Sequence, residues 1–286
     1  MAHEHTAAAD LVKGFSLEMT GKDIEPLREA APFIPQGTRV NVTFLGNEDL
    51  QMRVAASAEV KRLGFVPVPH LSARRLHDED ELATFLDELA KVDAAEHVFS
   101  VGGDPAEPLG PFPDALTVIK SGALQKAGVK SVAISGYPEG HPDIAENVLW
   151  EHLEAKSAAL AEAGLDATIL TQFSFDADAV LAWIAEVRRR GITAPIRVGI
   201  PGPAGIKRLL GYAKRFGVGS SAGIVKKYGF SLTHLIGSAG PDKFVADLAA
   251  GLAQLPNAGE VGVHLYTFGG LKASAQWASA AQEASA

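Results

Sequence analysis

Short apolar, β-branched runs alternate along this chain with longer stretches whose apolar residues recur at helical spacing. The runs read as eight strands: Phe15–Thr20, Arg39–Leu45, Val66–Ser72, His97–Asp104, Ser131–Pro138, Ala167–Phe173, Ile196–Gly202 and Val261–Phe268. Helices are predicted between them at Asp49–Leu63, Asp78–Lys91, Pro113–Lys126, Asp143–Ala163, Asp176–Arg190, Gly205–Phe216 and Pro241–Leu255. One more, Leu271–Ala280, follows the last strand. The punctuation agrees. Asp78, Glu79, Asp80 and Glu81 place negative charge where a helix dipole is positive. Gly128, Gly164, Gly191 and Gly217 stand at or just past helix ends, as C-cap glycines do.

Strands alternating with helices imply a parallel sheet with right-handed crossovers. An open doubly wound sheet competes with a closed barrel. The count of eight favours closure, and no strand-to-helix turn carries the G-x-G-x-x-G of a dinucleotide fold. The expectation is an α/β fold, a (β/α)8 TIM barrel in a single domain over residues 13–286. Residues 1–12 read as a flexible tail, and the Gly- and Ser-rich stretch Gly217–Gly240 reads as an excursion over one rim.

Composition narrows the function classes. The chain has 286 residues, 47% hydrophobic and 21% charged, enough for a sizeable core. A net charge of −8 argues against nucleic acid or an anionic membrane as partner. With no cysteine there is no disulfide and no thiolate metal site. No apolar run reaches membrane-spanning length, and the first residues lack the basic start and apolar core of a signal peptide. A cytoplasmic protein without a metal is expected; His3 and His5 are read as tail residues. A homo-oligomer remains open.

In a barrel, the C-terminal strand ends and their loops form the active face. Glu18 lies near the end of the first strand, on the same face as Ser16. A carboxylate there is either a structural ion pair or an acid with a raised pKa, suited to proton donation. Asp104 follows Gly102 and Gly103, which would let backbone and ligand approach closely; a turn cap is the plainer alternative. Gln172 is the lone amide on an apolar strand, either a satisfied core glutamine or a ligand contact. Asp176, four residues on, reads as a helix N-cap. His70, Tyr137, Glu139 and His141 sit in other strand-end segments, and Tyr266 and Phe268 form an aromatic pair before a glycine turn. There is no nucleophile elbow, P-loop or strand-end lysine, which argues against acyl transfer, ATP use and Schiff-base chemistry. A carboxylate with an amide suits a flat heterocycle bearing an aminopyrimidinone edge.

These residues resemble the methylenetetrahydrofolate reductase family in its short bacterial form. The resemblance runs from about Phe15 to Phe268. It rests on F-S-L-E at 15–18, N-V-T-F at 41–44, P-H-L-S at 69–72, G-G-D at 102–104, G-Y-P-E-G-H-P at 136–142, I-L-T-Q-F-S-F-D at 169–176 and H-L-Y-T-F at 264–268. It implies a (β/α)8 barrel that reduces 5,10-methylenetetrahydrofolate to 5-methyltetrahydrofolate with NADH or NADPH, or runs the reverse oxidation. By resemblance, Glu18 is the general acid, and Asp104 and Gln172 bind the pterin. Phe44, Tyr266 and Phe268 fall in the substrate region. His70, Gly102, Gly103, Tyr137, His141 and Ile206 fall at cofactor positions.

The departures concern the flavin, although Tyr137 and His141, which touch flavin in the family, are kept. The family commonly has Arg-Gly-Asp where Gly102-Gly103-Asp104 stands. Its late-helix base has no match nearer than Lys156, and Ile206 stands near the point of a stacking aromatic. Gly269-Gly270 replaces an Asn-Arg pair. FAD is therefore set against a flavin-free alternative, in which hydride passes directly from the nicotinamide. A folate- or pterin-dependent methyltransferase or one-carbon carrier, and a barrel that only binds, are the other readings. Arg53, Lys207, Lys226 and Lys227 are unranked candidates for the folate glutamate tail.

Overall fold

Asp49, Asp78, Asp114 and Asp176 each accept a backbone N–H from the first turn of a helix, at Met52, Glu81, Thr117 and Ala179. Each such cap is worth about 1 kcal/mol. They start four of the helices of this computed structural model, which describes residues 2–205, 211, 238–268 and 270–283. The barrel strands are β1 (Ser16–Met19), β2 (Arg39–Val42), β3 (Val66–Ser72), β4 (His97–Val101), β5 (Ser131–Gly136), β6 (Asp166–Thr171), β7 (Ile196–Pro201) and β8 (Val261–Tyr266). They are ordered β1-β8-β7-β6-β5-β4-β3-β2 in a closed parallel barrel. This is the (β/α)8 fold.

The described helices are α1 (Ala2–Val12), α2 (Ile24–Ala30), α3 (Leu50–Arg62), α4 (Glu79–Lys91), α5 (Ala115–Lys120), α6 (Ala123–Lys126), α7 (Glu146–Glu162), α8 (Ala177–Arg189), α9 (Asp242–Leu252) and α10 (Leu271–Glu283). α4 shows why they hold. Leu82, Phe85, Leu86 and Leu89 recur at helical spacing and are buried, each contributing about 1.5–3 kcal/mol.

Several expectations are corrected. Most strands end earlier than the apolar pattern suggested. β2 stops before Phe44, β4 before Gly102, β6 before Gln172 and β8 before Phe268. The backbone explains two of these: Gly103 has φ +93° and Phe268 φ +46°, values that leave the β region. The helix predicted over Pro113–Lys126 breaks in two, where Gly122 turns left-handed. The expected tail carries helix α1. Ala9, Leu11 and Val12 are buried, and α1 packs on α9 and α10. α2 was not foreseen; its seven residues bury only Leu27 and Ala30, too short a pattern to stand out. The helix predicted over Gly205–Phe216 and the excursion at Gly217–Gly240 lie largely outside the described residues. The flanking pairs Ala204 with Ala239 and Gly205 with Ser238 are antiparallel.

The chain divides into two compact units. One takes in Met1–Ser16, Gly136–Trp150 and Leu170–Ala286; the other takes in Leu17–Ser135 and Glu151–Ile169. Each contributes its own polar cluster at strand ends.

Candidate functional site

The Leu17–Ser135 part of the second unit holds the acid. Parallel register sets Glu18 on β1 beside Asn41 on β2. Oε2 of Glu18 lies 3.8 Å from Nε2 of His70 on β3, and Asn41 Nδ2 lies 3.4 Å from the same nitrogen. If the amide donates, Nε2 accepts and the imidazole keeps its proton on Nδ1. The ring of His70 stands edge-on to Phe99 at 4.7 Å. Asn41 and His70 are buried, and the Glu18 side chain is about one-fifth exposed, at 21%. Loss of water disfavours charge on both partners. It pushes Glu18 up to about 8 and His70 down to about 3. At neutral pH the pair is therefore an uncharged acid beside an uncharged imidazole, not an ion pair.

His70, expected among cofactor contacts, is seated against the acid. Asn41 was missed. It is a lone amide among valines, the same signal that singled out Gln172.

Asp104 lies beyond β4, in a turn where Gly103 needs its positive φ and sits against Ser72. Gly102 has open space where a side chain would be, so its glycine is not dictated by packing. The Asp104 side chain is 68% exposed, and Oδ1 accepts from Arg75 Nη2 at 2.5 Å. It is thus a presented carboxylate held by an arginine rather than a buried one. Phe44 has the Arg53 guanidinium 3.4 Å from its ring centre. Arg53 is buried between Phe44 and Phe85, and desolvation lowers it to about 10. So placed, it is not available to a folate carboxylate, which removes it from the tail candidates. Lys207, Lys226 and Lys227 lie outside the described residues.

The first unit holds the aromatics. Two loops are tied there by Glu139, whose Oε1 accepts from Ser174 Oγ at 2.5 Å and from Phe175 N–H at 3.2 Å. The two most specific sequence motifs, at 136–142 and 169–176, thus meet through one carboxylate. Tyr137 and His141 stand edge-to-face at 5.4 Å, and His141 Nδ1 accepts from the Asp143 N–H. The Gln172 N–H donates to Gly136 at 2.8 Å. Its side-chain Oε1 accepts from Phe173 N–H at 3.1 Å. With the acceptor so engaged, the carboxamide offers its Nε2 donors.

Phe173 is the hub of this cluster, with ring centres of Phe268 at 5.2 Å, Tyr266 at 5.6 Å and Phe175 at 5.8 Å. Tyr266 and Phe268 stack at 6.1 Å. Tyr266 Oη donates to the Thr171 carbonyl at 3.0 Å, and its ring crosses Gly199, where a Cβ would meet Cε2 at 2.6 Å. Behind it, buried Ser16 Oγ and His264 Nδ1 are 2.8 Å apart, and His264 lies edge-on to Tyr266 at 5.0 Å. That pair was also unforeseen. Asp176 caps α8 as expected. Ile206 lies outside the described residues. Among the described residues, no group of three His, Asp or Glu is arranged to hold a metal. None of the described helices is long and apolar enough to cross a membrane.

A model of the methylenetetrahydrofolate reductase family matches residues 27–219, more than half of the chain. The chain belongs to the methylenetetrahydrofolate reductase family. Among its relatives, methylenetetrahydrofolate reductase (NADH) 1 of Zea mays is 30% identical over 143 residues, covering 46% of this chain and 23% of that protein. A probable methylenetetrahydrofolate reductase (NADH) of Oryza sativa subsp. japonica is 29% identical over 140 residues, with 44% and 23% covered. The aligned part thus spans under a quarter of these relatives' length. Among solved structures, an uncharacterized protein from Clostridium thermocellum that binds two copies of 5-methyl-5,6,7,8-tetrahydrofolic acid aligns with a TM-score of 0.55. It is 11% identical, covers 94% of this chain and 95% of its own, and supports the fold alone.

Proposed function

We propose that the protein reduces 5,10-methylenetetrahydrofolate to 5-methyltetrahydrofolate with a reduced nicotinamide, or catalyses the reverse. The observation that carries this reading is Glu18. An acid that keeps its proton to about pH 8, at the end of a barrel strand and partly open, is poised to donate it. Protonating the substrate opens its imidazolidine ring to an iminium. NADH or NADPH, when bound, supplies the hydride that reduces the iminium carbon. Neutral His70 next to Glu18 adds no charge that would draw the proton away. The Asp104 carboxylate accepts from the amine and ring N–H of the pterin, and Gln172 donates from Nε2. Tyr266, Phe268 and Phe44 are read as the apolar faces for substrate, and Tyr137 and His141 as cofactor contacts. The family and the relatives' NADH-dependent names support this reading.

FAD fits these residues poorly. A flavin diphosphate needs cations or donors that face it. Gly102 brings no side chain. Lys156 is buried with Nζ 3.3 Å from Ser135 Oγ, and desolvation lowers it to about 8. Among the described residues the donors a flavin diphosphate needs are thus few, and the reading proposed is direct hydride transfer from the nicotinamide.

The test is NADH oxidation that depends on methylenetetrahydrofolate. Glu18→Gln should lower turnover by about 10²–10⁴-fold, the range for a lost general acid. Full activity in that variant would refute the acid role. A flavin absorption band in the purified protein would refute the flavin-free reaction. Tight binding of methyltetrahydrofolate with no NADH oxidation would favour a carrier or methyltransferase.

A further inference from the structure

The sequence puts two arginines in succession after β3, and the structure gives them different work on the loop that carries Asp104. Arg74 binds the loop itself. Its N–H donates to the Gly102 carbonyl at 2.8 Å, and its guanidinium donates to the carbonyls of Pro105, Ala106 and Pro113. Arg75 ignores the backbone and takes the Asp104 carboxylate.

Three features mark the Arg75 contact as built. The Arg75 side chain is only 16% exposed although its partner is 68% exposed. Its Nε is buried with no hydrogen-bond partner among the described residues, which is costly for a guanidinium. Gly46 makes the path for it, since a Cβ there would stand 2.4 Å from Nη1. A pair with one exposed member returns little stability. Stability is therefore a weak reason for this arrangement. What it does accomplish is orientation. Oδ1 of the exposed Asp104 side chain is held by Arg75, while Oδ2 has no hydrogen-bond partner among the described residues.

We propose that Arg75, reaching from the turn after β3 to Asp104 at 2.5 Å, is the positioning residue that sets this carboxylate to read the aminopyrimidinone edge of a pterin. It brings a guanidinium to the turn after β4, where Gly102 has none. The inference rests on the reading of Asp104 as a pterin ligand. A lysine could supply the charge but not the planar fork that fixes a carboxylate's orientation.

The experiment is calorimetric titration with 5-methyltetrahydrofolate, beside thermal melts. R75A and D104N should each weaken binding about tenfold, and the double variant should be no weaker than D104N, because coupled residues are non-additive. R75K should recover only part of the loss. R74A, which loosens the loop, should lower Tm more than R75A does and weaken binding less. Should R75A fail to fold, G46A displaces the guanidinium from the other side, with the same non-additivity against D104N expected. Wild-type affinity in R75A, or losses in R75A and D104N that multiply, would overturn this inference alone. A wild type that binds no 5-methyltetrahydrofolate would overturn the underlying reading and this inference with it.

Discussion

The two units solve opposite electrostatic problems. In the Leu17–Ser135 part of the second unit, ionisable groups are taken out of water, and their protonation follows from that: Glu18 keeps a proton and His70 loses one. In the first unit the same kind of strand-end space is filled by Phe173, Phe175, Tyr266 and Phe268, with the Gln172 amide and the His264 imidazole beside them and Glu139 tying the loops. One region can move a proton; the other can grip a flat ring. The lesson is that the proton-donating step should follow the titration of Glu18, while the aromatic region acts through its flat faces.

That contrast gives the largest expected effect. Turnover should fall as pH rises through about 8, where Glu18 gives up its proton. Glu18→Gln should remove this limb with most of the activity, whereas Gln172→Ala should weaken folate binding and leave the limb in place. A limb that moves in Gln172→Ala would break the comparison. Stability carries the same signature. Folded Glu18 holds its proton to about 8, while the unfolded carboxyl releases it near 4.5. The unfolded state thus binds fewer protons between those values, and stability falls as pH rises through the window. His70 acts oppositely, losing stability as pH falls from 6.5 toward about 3. Above 6.5 its imidazole is neutral in both states, and Lys156, lowered to about 8, titrates alike in wild type and Glu18→Gln, so the difference between the two isolates Glu18. Over that interval the Tm of wild type should drop relative to Glu18→Gln; parallel curves would contradict the shift.

The next effect belongs to the aromatic region. Phe173 is 2% exposed and touches three other rings. Phe173→Ala should destabilise by about 3–5 kcal/mol, as removal of a buried phenyl ring generally does. The loss should show equally in urea melts at pH 6.5 and 8, because no charge is involved. A pH-dependent loss would mean that the two regions are less separable than described.

The parts legible in the sequence follow this division. Period-2 and period-3.6 patterns report burial, so eight strands and their barrel could be read directly. Single strand-end polar residues could be read too, because an isolated Glu18 or Gln172 in an apolar run conflicts with its neighbours. Partners were harder. The Glu18–His70–Asn41 contact depends on the register of three strands, and Arg75–Asp104 on the path of a loop. Neither follows from spacing along one segment. Strand ends were overrun because apolar side chains continue past the last ladder residue: Phe173 and Phe268 are core-like in type but lie beyond β6 and β8. Arg53 misled for the converse reason, since its charge advertised a surface while its stem lies between two phenyl rings.

The smallest expected effect is the most discriminating for the aromatic region. Phe268 holds φ +46°, a left-handed conformation that costs a non-glycine residue about 1–3 kcal/mol. Its ring returns part of that through Phe173 and Tyr266, aromatic pairs being worth about 0.5–1.5 kcal/mol each beyond area. Phe268→Gly removes both terms and adds freedom to the unfolded chain worth about 0.5–1 kcal/mol. The relieved strain offsets part of the lost ring contacts, so Tm should fall less than in Phe173→Ala while binding of 5-methyltetrahydrofolate weakens. A large drop in Tm with unchanged binding would make Phe268 a packing residue and leave Tyr266 as the stacking face. A smaller loss of Tm than in Phe173→Ala together with weaker binding is the outcome expected if the strained position of Phe268 serves a ligand.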